Sequence, residues 1–352
     1  MDNRKTNIIV LLAAFVIVVA GMRVAAPLIV PFLLSTFIAI IVAPPLFWLK
    51  KKRVPTALAL LIVISAIIVI AVLIATMVGT SIESFSENLP FYQERLREKA
   101  TAVLSLINRT GIDISTEKLF EVFNPSLAMN LASKMLTGLG GVLTNGFLIT
   151  FTIVFILLEA STFPQKLRGV LHDPDRSFPY FNSFISNVQR YMAIKTLISL
   201  GTGVAVALWL LVLGVDFALL WGLLAFLLNY IPNIGSILAA LPAVLLAYIQ
   251  LGLTQAGLAA IGYLIVNIVA GNIIEPKVMG RGLGLSTLVV FISLVFWGWV
   301  FGPVGMLLSV PLTMTLKIAL QSREDTRWIA VLLGSDTGES LRKDLLPDDQ
   351  SA

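Results

Sequence analysis

Long stretches without a charged residue divide this chain, and the polar positions cluster between them. The charge-free runs are Thr6–Met22, Val24–Leu49, Val54–Ile82, Met135–Leu158, Thr196–Val215, Phe217–Ile274 and Gly282–Leu316. A helical crossing of a bilayer takes about 20 residues, so the first five runs each predict one span. The sixth holds 58 residues, and a straight helix of that size would exceed a hydrocarbon core of about 30 Å nearly threefold. It has to fold back, and so does the seventh with 35 residues.

The fold-back points are visible. "NYIPNIGS" (229–236) places two asparagines, a proline and a glycine in the middle of the sixth run. Proline removes a helical donor, glycine loosens the backbone, and asparagine is costly to bury unpaired. The arms on either side, Phe217–Ile231 and Ile234–Leu251, are short for full crossings, and no basic residue marks the tip. This predicts a re-entrant hairpin, entering near Asp216 and returning near Leu251–Thr254. The seventh run repeats the design: Leu285–Trp299, then "FGPVG" (301–305), then Met306–Lys317. Pro232…Gly235…Pro242 and Pro303…Gly305…Pro311 form a weak repeat, although Pro242 and Pro311 also fit simple helix kinks. Broken backbone at membrane depth is tolerated where it is buried in protein or lines a watery cavity. Paired interrupted segments point to a transporter's binding site near the midplane.

The spaces between runs add detail. Glu83–Lys134 carries seven acidic and six basic residues, and predicts an extracytoplasmic subdomain of short helices broken at Gly111 and Asn124-Pro125. A solvated spacer is the plainer alternative. Ser177–Thr196 has apolar residues at helical spacing and predicts an interfacial helix leading into the next span. Thr254–Ile274 predicts a full span carrying Asn267, Gly271 and Glu275 at steps of four. Asn267 fits inter-helix glue as well as solute contact.

Composition settles the class. Of 352 residues, 57% are hydrophobic and 13% charged, with mean hydropathy +0.93. Soluble domains carry about 25% charged residues, so the chain is an integral membrane protein. It has no cysteine, which excludes disulfides and thiolate sites. With the N-terminus in the cytoplasm, 18 of the 25 basic residues fall inside, as the positive-inside rule asks. The first run could be a signal peptide followed by Val24-Ala25-Ala26, but the many later apolar segments favour a retained helix. The predicted organisation is 1–82, three spans; 83–134, the outer subdomain; 135–195, a span and an interfacial helix; 196–320, a core with hairpins at 217–251 and 285–317; and 321–352, a cytoplasmic tail. The fold class is therefore all-α, a polytopic helical membrane protein with two re-entrant helical hairpins.

Candidate chemistry is sparse. There is no HExxH, no paired membrane aspartates and no rhomboid-type serine motif, and the one histidine, His172, lies in the hydrophilic "LHDPDR". No enzyme, cofactor or metal is expected, and there is no long basic arm or basic-aromatic patch of the kind that tracks nucleic acid. Asn229, Tyr230, Asn233, Ser236, Asn267 and Asn272 supply neutral donors and acceptors suited to a small polar solute. A buried charge in a bilayer costs about 2.5–3.5 kcal/mol on the insertion scale. Glu275 and then Glu159 are the candidates for proton or sodium coupling, and both also read as interface residues.

These residues carry a family likeness. "NYIPNIGSILAALP" (229–242), the stretch 271–312 and "VQRYMAIKTLISL" (188–200) resemble the autoinducer-2 exporter family. The matching features are Ile231-Pro232-x-x-Gly235, Asn272 with Pro276 and Gly280, Leu285-Ser-x-Leu, and Gly302-x-x-Gly305 with Pro311. The likeness spans about residues 1–320. It implies a bacterial inner-membrane homo-oligomer, pentameric in the family, whose two hairpins form the solute site and move in an elevator-like way. On that basis Pro232, Gly235, Gly298, Gly302, Pro303 and Gly305 join the site; Trp297 and Trp299, flanking Gly298 where the family commonly has smaller residues, are a departure expected to narrow the path. The resemblance also implies two alternatives, export of autoinducer-2 or sodium/proton exchange. A non-transporting membrane scaffold is a third reading.

Overall fold

The computed structural model describes residues 3–108, 145–160, 163, 166, 169, 174–232, 234–279, 284–321 and 324–334. Among these, every regular element is helical. In chain order they are α1 (Asn3–Val24), α2 (Ala26–Lys51), α3 (Thr56–Asn108), α4 (Gly146–Ala160), α5 (Pro174–Leu213), α6 (Ala218–Leu228) and α7 (Gly235–Leu251). There follow α8 (Leu253–Asn267), a π-helical segment (Ile268–Ile274), α9 (Glu275–Met279), α10 (Thr287–Leu307), α11 (Ser309–Gln321) and α12 (Glu324–Leu332). Asn233, His172, Gly280, residues 109–134 of the expected outer subdomain, and the tail from 335 lie outside the described residues.

Among the described residues, five helices are long and apolar enough to cross a membrane: Ala26–Lys51, Thr56–Arg95, Ile185–Leu213, Leu253–Val278 and Thr287–Leu307. Two expected domain boundaries fall inside helices. No interruption falls at 82/83, because α3 runs on through "FYQERLREK" (91–99); Glu, Gln, Arg and Leu are strong helix formers. Nor does one fall at 195/196. The expected interfacial helix and the next span are one helix, α5, since nothing between Phe178 and Leu213 but Pro179 and two glycines opposes helix.

The chain forms two compact units. One draws on Met1–Leu60, Leu148–Ile194 and Pro276–Ala352, the other on Leu61–Phe147 and Lys195–Glu275. In the first, Val19 of α1 and Val300 and Phe301 of α10 are buried together, with Met22, Ile29, Leu33 and Leu312 packed around them. Ser35 of α2 donates to the Pro31 carbonyl at 2.7 Å and leans on that of Ile149 in α4 at 3.2 Å.

The second unit has the larger core, in which Phe85 and Tyr92 of α3 pack with Leu210, Trp221, Leu246, Ala259 and Tyr263. Small residues let its helices approach closely, the usual means of packing where lipid removes the hydrophobic drive. Ala239, Ala243 and Ala247 repeat every four residues along α7 and are fully buried. Gly203 of α5 faces Gly222 of α6 so tightly that a Cβ on Gly203 would lie 2.7 Å from the Gly222 carbonyl oxygen. On α8, Gly262 leaves room for the Trp209 indole, whose Nε1 donates to the Leu258 carbonyl at 3.0 Å.

Candidate functional site

Hairpin one is α6, a tight tip and α7. Its arms hold 11 and 17 residues. At the tip the backbone contracts: Ile231 N–H donates to the Leu228 carbonyl at 2.8 Å and Ile234 N–H to that of Pro232 at 2.7 Å. The turn closes on Gly235. A Cβ there would sit 1.8 Å from the Leu228 oxygen and 3.1 Å from Ile231 Cβ, so only glycine fits.

Hairpin two closes the same way. α10 is broken at Gly302, whose φ of 68° and ψ of −150° lie where side chains are strained. Pro303 then opens the second segment, where its missing N–H costs nothing. A Cβ on Gly305 would meet the Trp297 carbonyl oxygen at 2.0 Å and Phe301 Cβ at 2.8 Å. In both tips, therefore, a glycine presses against the side chain four residues back and a carbonyl seven or eight back. The weak sequence repeat has a geometric counterpart.

The side chains differ. In hairpin one, Asn229 and Tyr230 are buried and reach α5: Asn229 Nδ2 donates to Ser199 Oγ at 2.9 Å, and Tyr230 O–H to Thr196 Oγ1 at 2.6 Å. Next to Thr196, Lys195 is only 4% exposed, and its Nζ meets both Glu275 oxygens at 2.8 Å. The Glu275 side chain is about one-fifth exposed. So Lys195, Thr196 and Ser199 form a polar edge on α5 that serves the hairpin tip and the end of the π segment. At the opposite end of this hairpin, Gln250 Nε2 and the Tyr92 hydroxyl both donate to the Asp216 carboxylate, and Asp216 N–H donates to Gln250 Oε1 at 3.1 Å.

The π segment alters one expectation. Asn267, Gly271 and Glu275 were placed on one face by α-helical spacing, yet 268–274 winds more widely. Pro276 has no N–H to give the carbonyl four residues back, which fits a helix that changes its winding here. Asn267 Oδ1 still lies 3.9 Å from where a Gly271 Cβ would be, while Asn272 is exposed. Such segments recur at functional sites. Ser236, Asn267 and Asn272 make no side-chain hydrogen bond with another described residue.

In hairpin two the polar bond is internal: Trp297 Nε1 donates to Thr313 Oγ1 at 2.9 Å, tying one arm to the other. Trp297 stacks on Phe301 with centroids 5.6 Å apart. Gly298 faces Met306, whose Cγ would be 2.6 Å from an added Cβ. Trp299 points elsewhere, exposed and under the Arg23 guanidinium at 4.5 Å. Glu159, the second coupling candidate, pairs with Lys166 at 2.7 Å on an exposed surface. Among the described residues no cluster of His, Asp and Glu could hold a metal.

Lys195, Thr196 and Ser199 escaped sequence reasoning as site residues, although polar residues at 195/196, 199 and 202 recur at helical spacing in an apolar helix. That periodicity was the available signal.

Apolar helices of spanning length, two glycine-closed helical hairpins and a polar edge around one of them describe a multi-pass membrane protein. The chain belongs to the AI-2E transporter family, whose model matches residues 12–324. It is 44% identical over 327 residues to the AI-2 transport protein TqsA of Escherichia coli, covering 93% of this chain and 95% of that one. A Haemophilus influenzae chain whose name assigns it transport without a solute is 42% identical, with 92% and 94% covered. Escherichia coli YhhT, named in similar terms, is 36% identical, with 95% of each chain covered.

Proposed function

We propose that the chain exports a small polar solute, autoinducer-2 or a similar hydroxylated signalling molecule, by an elevator-like movement, with the hairpin one tip as its contact surface. The observation that carries this is the set of neutral hydrogen bonds between that tip and α5. Asn229–Ser199 and Tyr230–Thr196 are bonds, each worth about 0.5–1.5 kcal/mol net, that a hydroxylated solute can exchange one for one. Ser236, Asn267 and Asn272 add polar groups with no side-chain bond to another described residue. The similarity to a protein named for AI-2 transport supports the solute class.

Both hairpins are re-entrant in this reading. The arms of hairpin one, at 11 and 17 residues, would extend about 16 and 25 Å, short of a core of about 30 Å. The protein sits in the bacterial inner membrane as a homo-oligomer with both termini cytoplasmic, and residues 83–134 lie outside. Exchange of sodium for protons is the weaker reading, because the carboxylate it would use, Glu275, is already held by an ammonium group.

The test uses purified protein in sealed liposomes preloaded with autoinducer-2, with and without imposed proton and sodium gradients. Gradient-dependent loss of solute, cut at least tenfold by Asn229→Ala and by Ser199→Ala, is expected. Loss at the same rate in both variants places the site elsewhere. A sodium-driven pH change without solute loss moves the protein to ion exchange.

A further inference from the structure

The turn between α2 and α3 holds Lys50, Lys51, Lys52 and Arg53 in succession, and no Asp or Glu occurs anywhere from Asn3 to Ile82. The ion pairs among the described residues, Glu159–Lys166 and Lys195–Glu275, involve none of the four. Lys51, Lys52 and Arg53 are exposed.

The backbone beneath them is unusual. Val54 N–H donates to the Leu49 carbonyl at 3.2 Å and Arg53 N–H to that of Lys50 at 3.0 Å, the two bonds of a Schellman closure. The donor of the second bond adopts left-handed backbone, φ 65°. Glycine is the usual occupant, since a Cβ is strained there. Here it is Arg53. The chain tolerates strain at a position where a guanidinium projects from the tip of the turn, and strain of this kind clusters at functional positions.

Two aromatic residues precede the cations, Phe47 and Trp48, both exposed. Lys52 Nζ stands 4.0 Å over the Trp48 ring and Lys50 Nζ 5.9 Å from that of Phe47. Ammonium groups held against ring faces, one of them a tryptophan, a type that sits at headgroup level, form a surface with a cationic rim and an apolar foot.

We propose that this turn is a binding site for anionic phospholipid headgroups. The phosphodiester is taken by Lys51, Lys52 and Arg53, and Phe47 and Trp48 seat against the first acyl carbons. Free phosphate offers the same charge without chains. The exposed aromatic pair commits the site to lipid, because a soluble anion has no use for it. Each basic residue at an anionic surface strengthens association roughly fivefold.

The experiment follows thermal unfolding of the full chain in neutral detergent micelles, titrated with phosphatidylglycerol, phosphatidylcholine or inorganic phosphate. A saturable rise in Tm with phosphatidylglycerol alone is expected. Replacing all four cations (Lys50→Gln, Lys51→Gln, Lys52→Gln, Arg53→Gln) should weaken half-saturation at least a hundredfold. Where that variant fails to insert, Arg53→Gly decides. It relieves the left-handed position, so Tm without lipid stays level or rises, while half-saturation weakens about fivefold. A response to phosphatidylglycerol that Arg53→Gly leaves unchanged, an equal response to phosphatidylcholine, or one reproduced by inorganic phosphate would each overturn the proposal.

Discussion

The two hairpins share a backbone solution and differ in what their side chains do with it. Each turns on a glycine that no larger residue can replace, Gly235 against the Leu228 carbonyl and Gly305 against that of Trp297. Hairpin one then directs its polar side chains outward, to Ser199 and Thr196 on α5. Hairpin two spends its polar bond on itself, Trp297 to Thr313, and adds a stacked aromatic pair. A bond to a neighbouring helix can be exchanged for a bond to a solute. One that ties a hairpin's own arms together mainly fixes its shape. Under the function proposed above, similar geometry serves a contact surface in one place and a rigid scaffold in the other.

Substitutions can break this contrast at several strengths. Gly235→Ala and Gly305→Ala have the largest effect, since the obstructing atom is backbone; each should cost about 3 kcal/mol or more, read as loss of folded protein on gel filtration and a collapse of Tm. Tolerance at one tip but not the other would end the equivalence of the two turns. Lys195→Met leaves the Glu275 carboxylate half-buried and alone, at a cost of about 3 kcal/mol. Adding Glu275→Gln should recover most of it, and a double-mutant cycle that came out additive would contradict a coupled pair. Ser199→Ala and Thr313→Val each remove one hydrogen bond worth about 1 kcal/mol. Their stabilities should match while their transport diverges, with Ser199→Ala impaired and Thr313→Val close to wild type. Equal transport loss would erase the distinction between surface and scaffold. The smallest effect belongs to Glu159→Gln: its pair with Lys166 is exposed and worth about 0–1 kcal/mol, so solute efflux should not change.

Much of this was readable in the chain. Runs too long for one crossing required folding back, and Pro232, Gly235, Gly302 and Gly305 marked where, because glycine and proline act locally. Family membership followed from the same residues. The ion pair was hidden for the opposite reason. Lys195 and Glu275 are 80 residues apart, and each alone resembles an ordinary residue at the end of an apolar run. The continuity of α3 through 82/83 was missed because charge was taken as a boundary, whereas Glu, Arg and Gln oppose burial in lipid and not helix. The assignment of Trp297 to a narrowed path had no access to Thr313, which only the folded hairpin brings within reach.

The lack of native cysteine allows a direct probe of the hairpin one tip. Ser236→Cys would be reacted with a membrane-impermeant maleimide, applied from one face of sealed proteoliposomes at a time, with and without saturating autoinducer-2. A re-entrant tip lining the solute path should label from one face, and labelling should slow at least severalfold with solute present. A cysteine that reacts from neither face, or at the same rate with and without solute, would contradict it.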